Sequence, residues 1–166
     1  MGGSGEGISF ALLSPVGTMV KDGRPTFRWR ALPGATSYSV DVFDSSLKNV
    51  ARIDRVSGTT WTPSQSLEPN QAYRWQVTAL KSGEEITSPV PPTPEAKFKV
   101  LEQSKAEELN RAKKAYPNSH LILGSLYERA GLLDDAENEF RSLVSANPRS
   151  TLARKLLQEV KSLRQR

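Results

Sequence analysis

The chain has 166 residues, 37% hydrophobic and 25% charged, with a formal net charge of +5 and no cysteine. That length holds one domain or two small ones, and the balance is that of a folded rather than a disordered chain. Disulfides, thiolate nucleophiles and cysteine-held zinc are excluded, and no apolar run approaches the roughly 20 residues of a membrane-spanning helix.

The opening stretch MGGSGEG, residues 1–7, has no apolar side chain after Met1 and reads as a disordered linker or cloning remnant. Its glycines precede neither a strand–helix unit nor a Lys-Ser/Thr pair, so it is not a phosphate loop. From residue 8 to 101 apolar and polar residues alternate. Phe27 and Trp29 alternate with Thr26, Arg28 and Arg30; Tyr38, Val40 and Val42 with Ser37, Ser39 and Asp41; Tyr73, Trp75, Val77 and Ala79 with Arg74, Gln76 and Thr78. A period of two marks strands with one buried face. Turn signals at KDGRP, LPGA, SGTT, EPNQ and KSGEE separate them. The spacing predicts strands near 8–13, 25–30, 36–43, 50–55, 59–62, 72–80 and 96–101, an antiparallel sandwich. The four prolines of SPVPPTPE cannot donate to a ladder, so that stretch is an edge or a loop.

From residue 102 to 166 the period changes. Ala106, Leu109, Ala112 and Tyr116 recur every three or four residues, as do Ala136, Phe140, Leu143 and Val144, and then Leu152, Leu156, Val160 and Leu163. Four helices are expected, roughly 102–115, 119–130, 134–146 and 150–164, with Asn118 and Ser150 as N-caps and a further cap near Asp134. The fold class is therefore α+β, with strands and helices segregated along the chain.

Two resemblances follow from particular residues. Leu67, Pro69 and Tyr73 stand at the Leu-x-Pro-x-x-x-Tyr spacing of a fibronectin type III corner, and Trp29 sits where that family keeps a buried tryptophan. GATSYSV is similar to the start of its third strand, so residues 14–100 resemble this family. The resemblance implies a tyrosine whose hydroxyl returns to nearby backbone. No Arg-Gly-Asp is present, so integrin binding is not implied. His120, Leu123, Gly124 and Tyr127, then Ala136, Phe140 and Pro148, resemble a single tetratricopeptide repeat over residues 117–150, with His120 replacing the usual Trp. Residues 150–164 look like the solvating helix that ends such arrays, its outer face carrying Arg154, Lys155, Lys161, Arg164 and Arg166 against Glu159.

Helical repeats hide their apolar faces on neighbours, and about three are usually needed. A lone repeat with flanking helices is therefore expected to place apolar surface on the sandwich, on a second copy or on a partner. The resemblance implies binding rather than catalysis: a scaffold or protein-interaction module, the soluble part of a larger bacterial envelope or regulatory protein. The expected compartment is periplasmic or otherwise extracytoplasmic, with the cytoplasm left open. Candidate docking residues are Glu128, Arg129, Asn138 and Arg141. One alternative is a homo-oligomerising segment that dimerises through the helices. Another is a carbohydrate- or wall-binding sandwich, with Trp61 as its ligand aromatic, although core packing is the simpler role for Trp61. No catalytic set, cofactor or metal is expected: His120 is the sole histidine, at a packing position. The acidic run of Asp134, Asp135, Glu137 and Glu139 suits a helix N-terminus. The basic last helix lacks interleaved aromatics, so nucleic acid is not the expected partner.

Overall fold

The structure, a computed structural model, describes residues 9–164; the linker expected at 1–7 lies outside them, as does Arg166. Alternating side chains build two facing sheets. The smaller holds β1 (Leu12–Ser14), β3 (Phe27–Trp29) and β6 (Thr60–Trp61), in the order β1-β3-β6. The larger runs β2-β9-β7-β4-β5, from β2 (Thr18–Val20) and β9 (Ala96–Val100) through β7 (Ala72–Lys81) and β4 (Ala35–Asp44) to β5 (Asn49–Val56). β8 (Glu84–Ser88) pairs with β7 beside β9. The pairing of β2 with β9 is parallel and the others are antiparallel.

The core between the sheets is aromatic. Phe27 meets Trp75 edge-on at 4.9 Å and Phe98 at 5.6 Å, with Trp29, Tyr38, Val40, Val42, Val77 and Val100 buried around them. Tyr73 is buried, and its hydroxyl accepts the Glu68 N–H at 2.9 Å, the return to backbone expected of a corner tyrosine.

Among the described residues nine strands form where seven were expected. The strand expected at 8–13 begins later, at Leu12, and Thr18–Val20 is a strand of its own. Pro15 and Gly17, the latter at φ 64, turn the chain between them, so β1 joins one sheet and β2 the other. β8 was hidden in KSGEE. Ser82 (φ 52) and Gly83 (φ 79) alone form the turn, a two-residue hairpin with both φ positive, which frees Glu84 onward to pair back on β7. SPVPPTPE is the loop that carries the chain from β8 to β9.

Four helices follow: α1 (Gln103–Ala115), α2 (His120–Arg129), α3 (Leu133–Ala146) and α4 (Thr151–Arg164). None is long and apolar enough to cross a membrane. Ser119 caps α2, its Oγ accepting the Ile122 N–H at 3.2 Å, so the cap is one residue later than the expected Asn118. Ser150 caps α4 as expected, through the Ala153 N–H at 3.1 Å. α2 and α3 pack most closely where Gly124 faces the buried ring of Phe140. Leu109, Leu123, Tyr127, Leu132, Ala136, Phe140 and Val160 form a second core.

That second core is continuous with the sandwich. Leu101, just after β9, is buried in it, and Met19 of β2 packs against it. The Met19 N–H donates to the Gly131 carbonyl at 3.0 Å, and the Leu101 N–H to the Val20 carbonyl at 2.8 Å. The cap expected near Asp134 is absent: Leu132 holds the N-cap position of α3 and has no polar side chain. Thr18 takes its place from β2, its Oγ1 accepting the Leu133 N–H at 3.0 Å, a donor it shares with the Gly131 carbonyl, also at 3.0 Å. The sandwich thus caps α3, filling one of the vacant bonding positions of a helix N-terminus.

Candidate functional site

A cleft of about 550 Å³ opens where α3 meets the sandwich. Lys21, Arg24 and Arg28 line one side, and Asp134, Glu137 and Asn138 of α3 the other. Arg164, from the last turn of α4, reaches into it. Its guanidinium contacts Glu137 Oε2 and lies 2.8 Å from Asp134 Oδ1, an ionic contact without hydrogen-bond alignment. Burial pushes the Asp134 carboxyl above the usual range, against the pull of Arg164. Glu137 is itself buried and also holds Arg141 at 3.3 Å. Arg164 was expected on a solvated outer face, and that is corrected: it lies on the same side of α4 as the inward-facing Ala153, Leu157 and Val160. The three- and four-residue spacing of Leu157, Val160 and Arg164 was the signal that could have placed it. Thr18 offered no such signal, since its partner is 115 residues away.

The four residues expected to dock a partner divide between two sides. On α2, Leu123, Gly124 and Tyr127 face inward, which turns Leu121, Ile122, Ser125, Glu128 and Arg129 outward. On α3, Ala136, Glu137 and Phe140 face inward, which turns Asn138 and Arg141 outward on the opposite side of the pair. Asn138 lines the cleft and Arg141 is tied to Glu137, whereas Glu128 sits near Glu159 of α4. No hydrogen bond or ion pair joins any two of the four.

The outer side of α2 carries two residues that residue-type rules did not single out. Leu121 and Ile122 keep 42% and 37% of their surface in solvent. α4 shows a comparable stripe, with Leu152 56% and Leu163 39% exposed. Burial, and secondarily the charge of Glu159, push the Glu128 carboxyl above its usual range.

Trp61 is half-buried and packs on the sandwich core, one face of its ring stacked on Phe27 at 5.4 Å. His120 Nδ1 lies 2.7 Å from Glu139 Oε2. The acidic run divides its work: Asp134 and Asp135 occupy the first turn of α3, Asp134 and Glu137 receive Arg164, and Glu139 meets His120. Among the described residues no group of three or more His, Cys, Asp or Glu side chains could hold a metal ion. On the outer face of the larger sheet, Asp41 is 5% exposed and its Oδ1 receives Arg52 Nη1 and Asn49 Nδ2, each at 2.7 Å, a structural role.

No protein-family model and no curated protein matches the sequence. Among solved structures, one similar chain is a Fn3-like protein from Clostridium thermocellum, at 19% identity and a TM-score of 0.39, covering 57% of this chain and 90% of that one. Another is CopC from Methylosinus trichosporium OB3b, at 17% identity and a TM-score of 0.38, covering 57% of this chain and 95% of that one.

Proposed function

We propose that this chain is a non-enzymatic protein-interaction module, in which the sandwich holds a short tetratricopeptide-like helical unit as the docking element. The observation that carries this reading is the outer side of α2. Leu121 and Ile122 stay open to solvent after the helices have closed their own core and joined β2. Exposed apolar residues beside Glu128 and Arg129 suit an apolar stretch of a protein or peptide with charged residues at its edge. The close approach of Gly124 to Phe140, with Ala136 fully buried, supports the comparison with a helical repeat. The non-enzymatic part rests on His120, the sole histidine, being held by Glu139 rather than by a nucleophile. The step from repeat to docking is analogy. The same reading makes the chain the soluble part of a larger bacterial envelope or regulatory protein outside the cytoplasm.

A displayed random-peptide library panned on the purified chain tests it. Apolar peptides are expected to enrich and to lose about 10-fold or more in affinity for Leu121→Asp/Ile122→Asp, two substitutions at the centre of the face. That variant should keep the wild-type thermal midpoint, because both side chains are already exposed. Failure to enrich any peptide, or equal binding by the variant, overturns the reading.

A further inference from the structure

α4 carries a second exposed strip, with Leu152 and Leu163 at its ends, Glu159 between them, and Leu156, which packs in part on the second core. Leu152, Leu156, Glu159 and Leu163 recur at alternating four- and three-residue steps, the spacing of a helix-pairing seam. The strip lies beside the buried side of α4, formed by Ala153 and Val160, and its ends, Leu152 and Leu163, keep 56% and 39% of their surface in solvent. Lys155 flanks it. Lys155 and Glu159 are both exposed, and among the described residues neither makes an ion pair. They stand four apart in the Lys-then-Glu order, the weaker orientation for pairing along one helix.

These features complement themselves on reversal. We propose that the strip docks a second copy of this chain, α4 lying antiparallel on α4 about a two-fold axis level with Leu157. In that arrangement Leu152 meets the partner's Leu163, and Lys155 meets the partner's Glu159, each contact occurring twice, as a two-fold interface requires. Helices of 14 residues make a small contact, below the roughly 1,200 Å² of a strong interface, so the dimer is weak and concentration-dependent. It is a surface distinct from the outer side of α2 and does not depend on docking there.

Sedimentation equilibrium of the full chain tests it, by way of charge swaps. The wild type is expected to move from monomer to dimer at concentrations up to about 1 mM. Lys155→Glu and Glu159→Lys should each weaken the dimer by roughly 10-fold, because each faces like charges twice. The double variant restores both pairs and should regain the dimer. So should an equimolar mixture of the two single variants, as a heterodimer. Leu121→Asp/Ile122→Asp should dimerise like the wild type, which separates this surface from the docking one. A wild type that stays monomeric throughout, a double variant no better than the singles, or a dimer lost on changing α2 overturns the proposal. Circular dichroism of each variant establishes that it is folded, and the mixture needs no variant beyond the two singles.

Discussion

At Gly124 an added Cβ would lie 2.5 Å from Phe140 Cε1 and 2.7 Å from Cδ1. Two effects oppose each other there. Alanine is favoured over glycine inside a helix by about 1 kcal/mol, whereas an extra carbon in a packed core costs about 1–3 kcal/mol. Phe140 is fully buried, and a ring held in the second core cannot swing away as an exposed side chain would. The packing cost therefore wins, and Gly124→Ala should lose about 1–2 kcal/mol in a urea titration. A gain in stability would mean that the ring yields easily. This contact was legible in advance, because the Leu-Gly-x-x-Tyr spacing places a small residue where two helices meet. Arg164 was not. Its charge argued for solvent, and only the ion pairs to Asp134 and Glu137 make a position beside Val160 tolerable for it. The cap of α2 was legible to within one residue, since Asn118 and Ser119 are both good caps and local rules do not choose between them.

Among the elements, α3 depends most on something outside itself. Its own sequence places Leu132 at the N-cap, so the side-chain acceptor for the Leu133 N–H is Thr18 Oγ1, beside the Gly131 carbonyl. Thr18→Ala should cost about 1 kcal/mol, the usual value of a lost cap, and Thr18→Ser should retain most of it. Hydrogen exchange checks the mechanism as well as the magnitude: the Leu133 amide should lose protection in the alanine variant but not in the serine variant. Equal protection in both would assign the stabilisation to packing of the threonine methyl instead. The extents of the helices and of the long strands β4 and β7 were readable because each carries several turns or alternations of one period. β2 and β8 were not. β2 is three residues long, too short to show a period. β8 has charged residues, Glu84 and Glu85, at its start and was absorbed into the turn before it. The edge strand β5 shows the opposite case, a long strand that remains unpaired on one side. A register shift beside Arg55, at φ 56, and the exposed Arg52 and Asp54 protect that edge from pairing with other chains.

The whole molecule poses a question of coupling: whether sandwich and helices melt together. The junction is made of two apolar side chains, Met19 and Leu101, and of the backbone bond from Met19 to Gly131, besides the Thr18 cap; a bond from the Leu101 N–H to the Val20 carbonyl ties Leu101 to β2. The Met19–Gly131 bond and the Thr18 cap form only if β2 and the turn at Gly131 are both in place, so each part stabilises the other. The chain provides separate reporters for the two parts. All three tryptophans, Trp29, Trp61 and Trp75, lie in the sandwich, whereas the far-ultraviolet circular dichroism is dominated by the helices. In the wild type, fluorescence and circular dichroism should therefore give coincident midpoints in a denaturant titration, the mark of one cooperative transition. Met19→Ala removes one of the two shared side chains and should cost about 1–2 kcal/mol, less than a fully buried methionine because Met19 is only half-buried. The loss falls on the helices, whose core is the smaller. The circular dichroism midpoint should then fall below the fluorescence midpoint, and the transition should split. Separate midpoints in the wild type would make the junction a hinge between independent parts. Coincident midpoints in Met19→Ala would assign the coupling to Leu101, the Met19–Gly131 backbone bond and the cap, with the Met19 side chain a passenger.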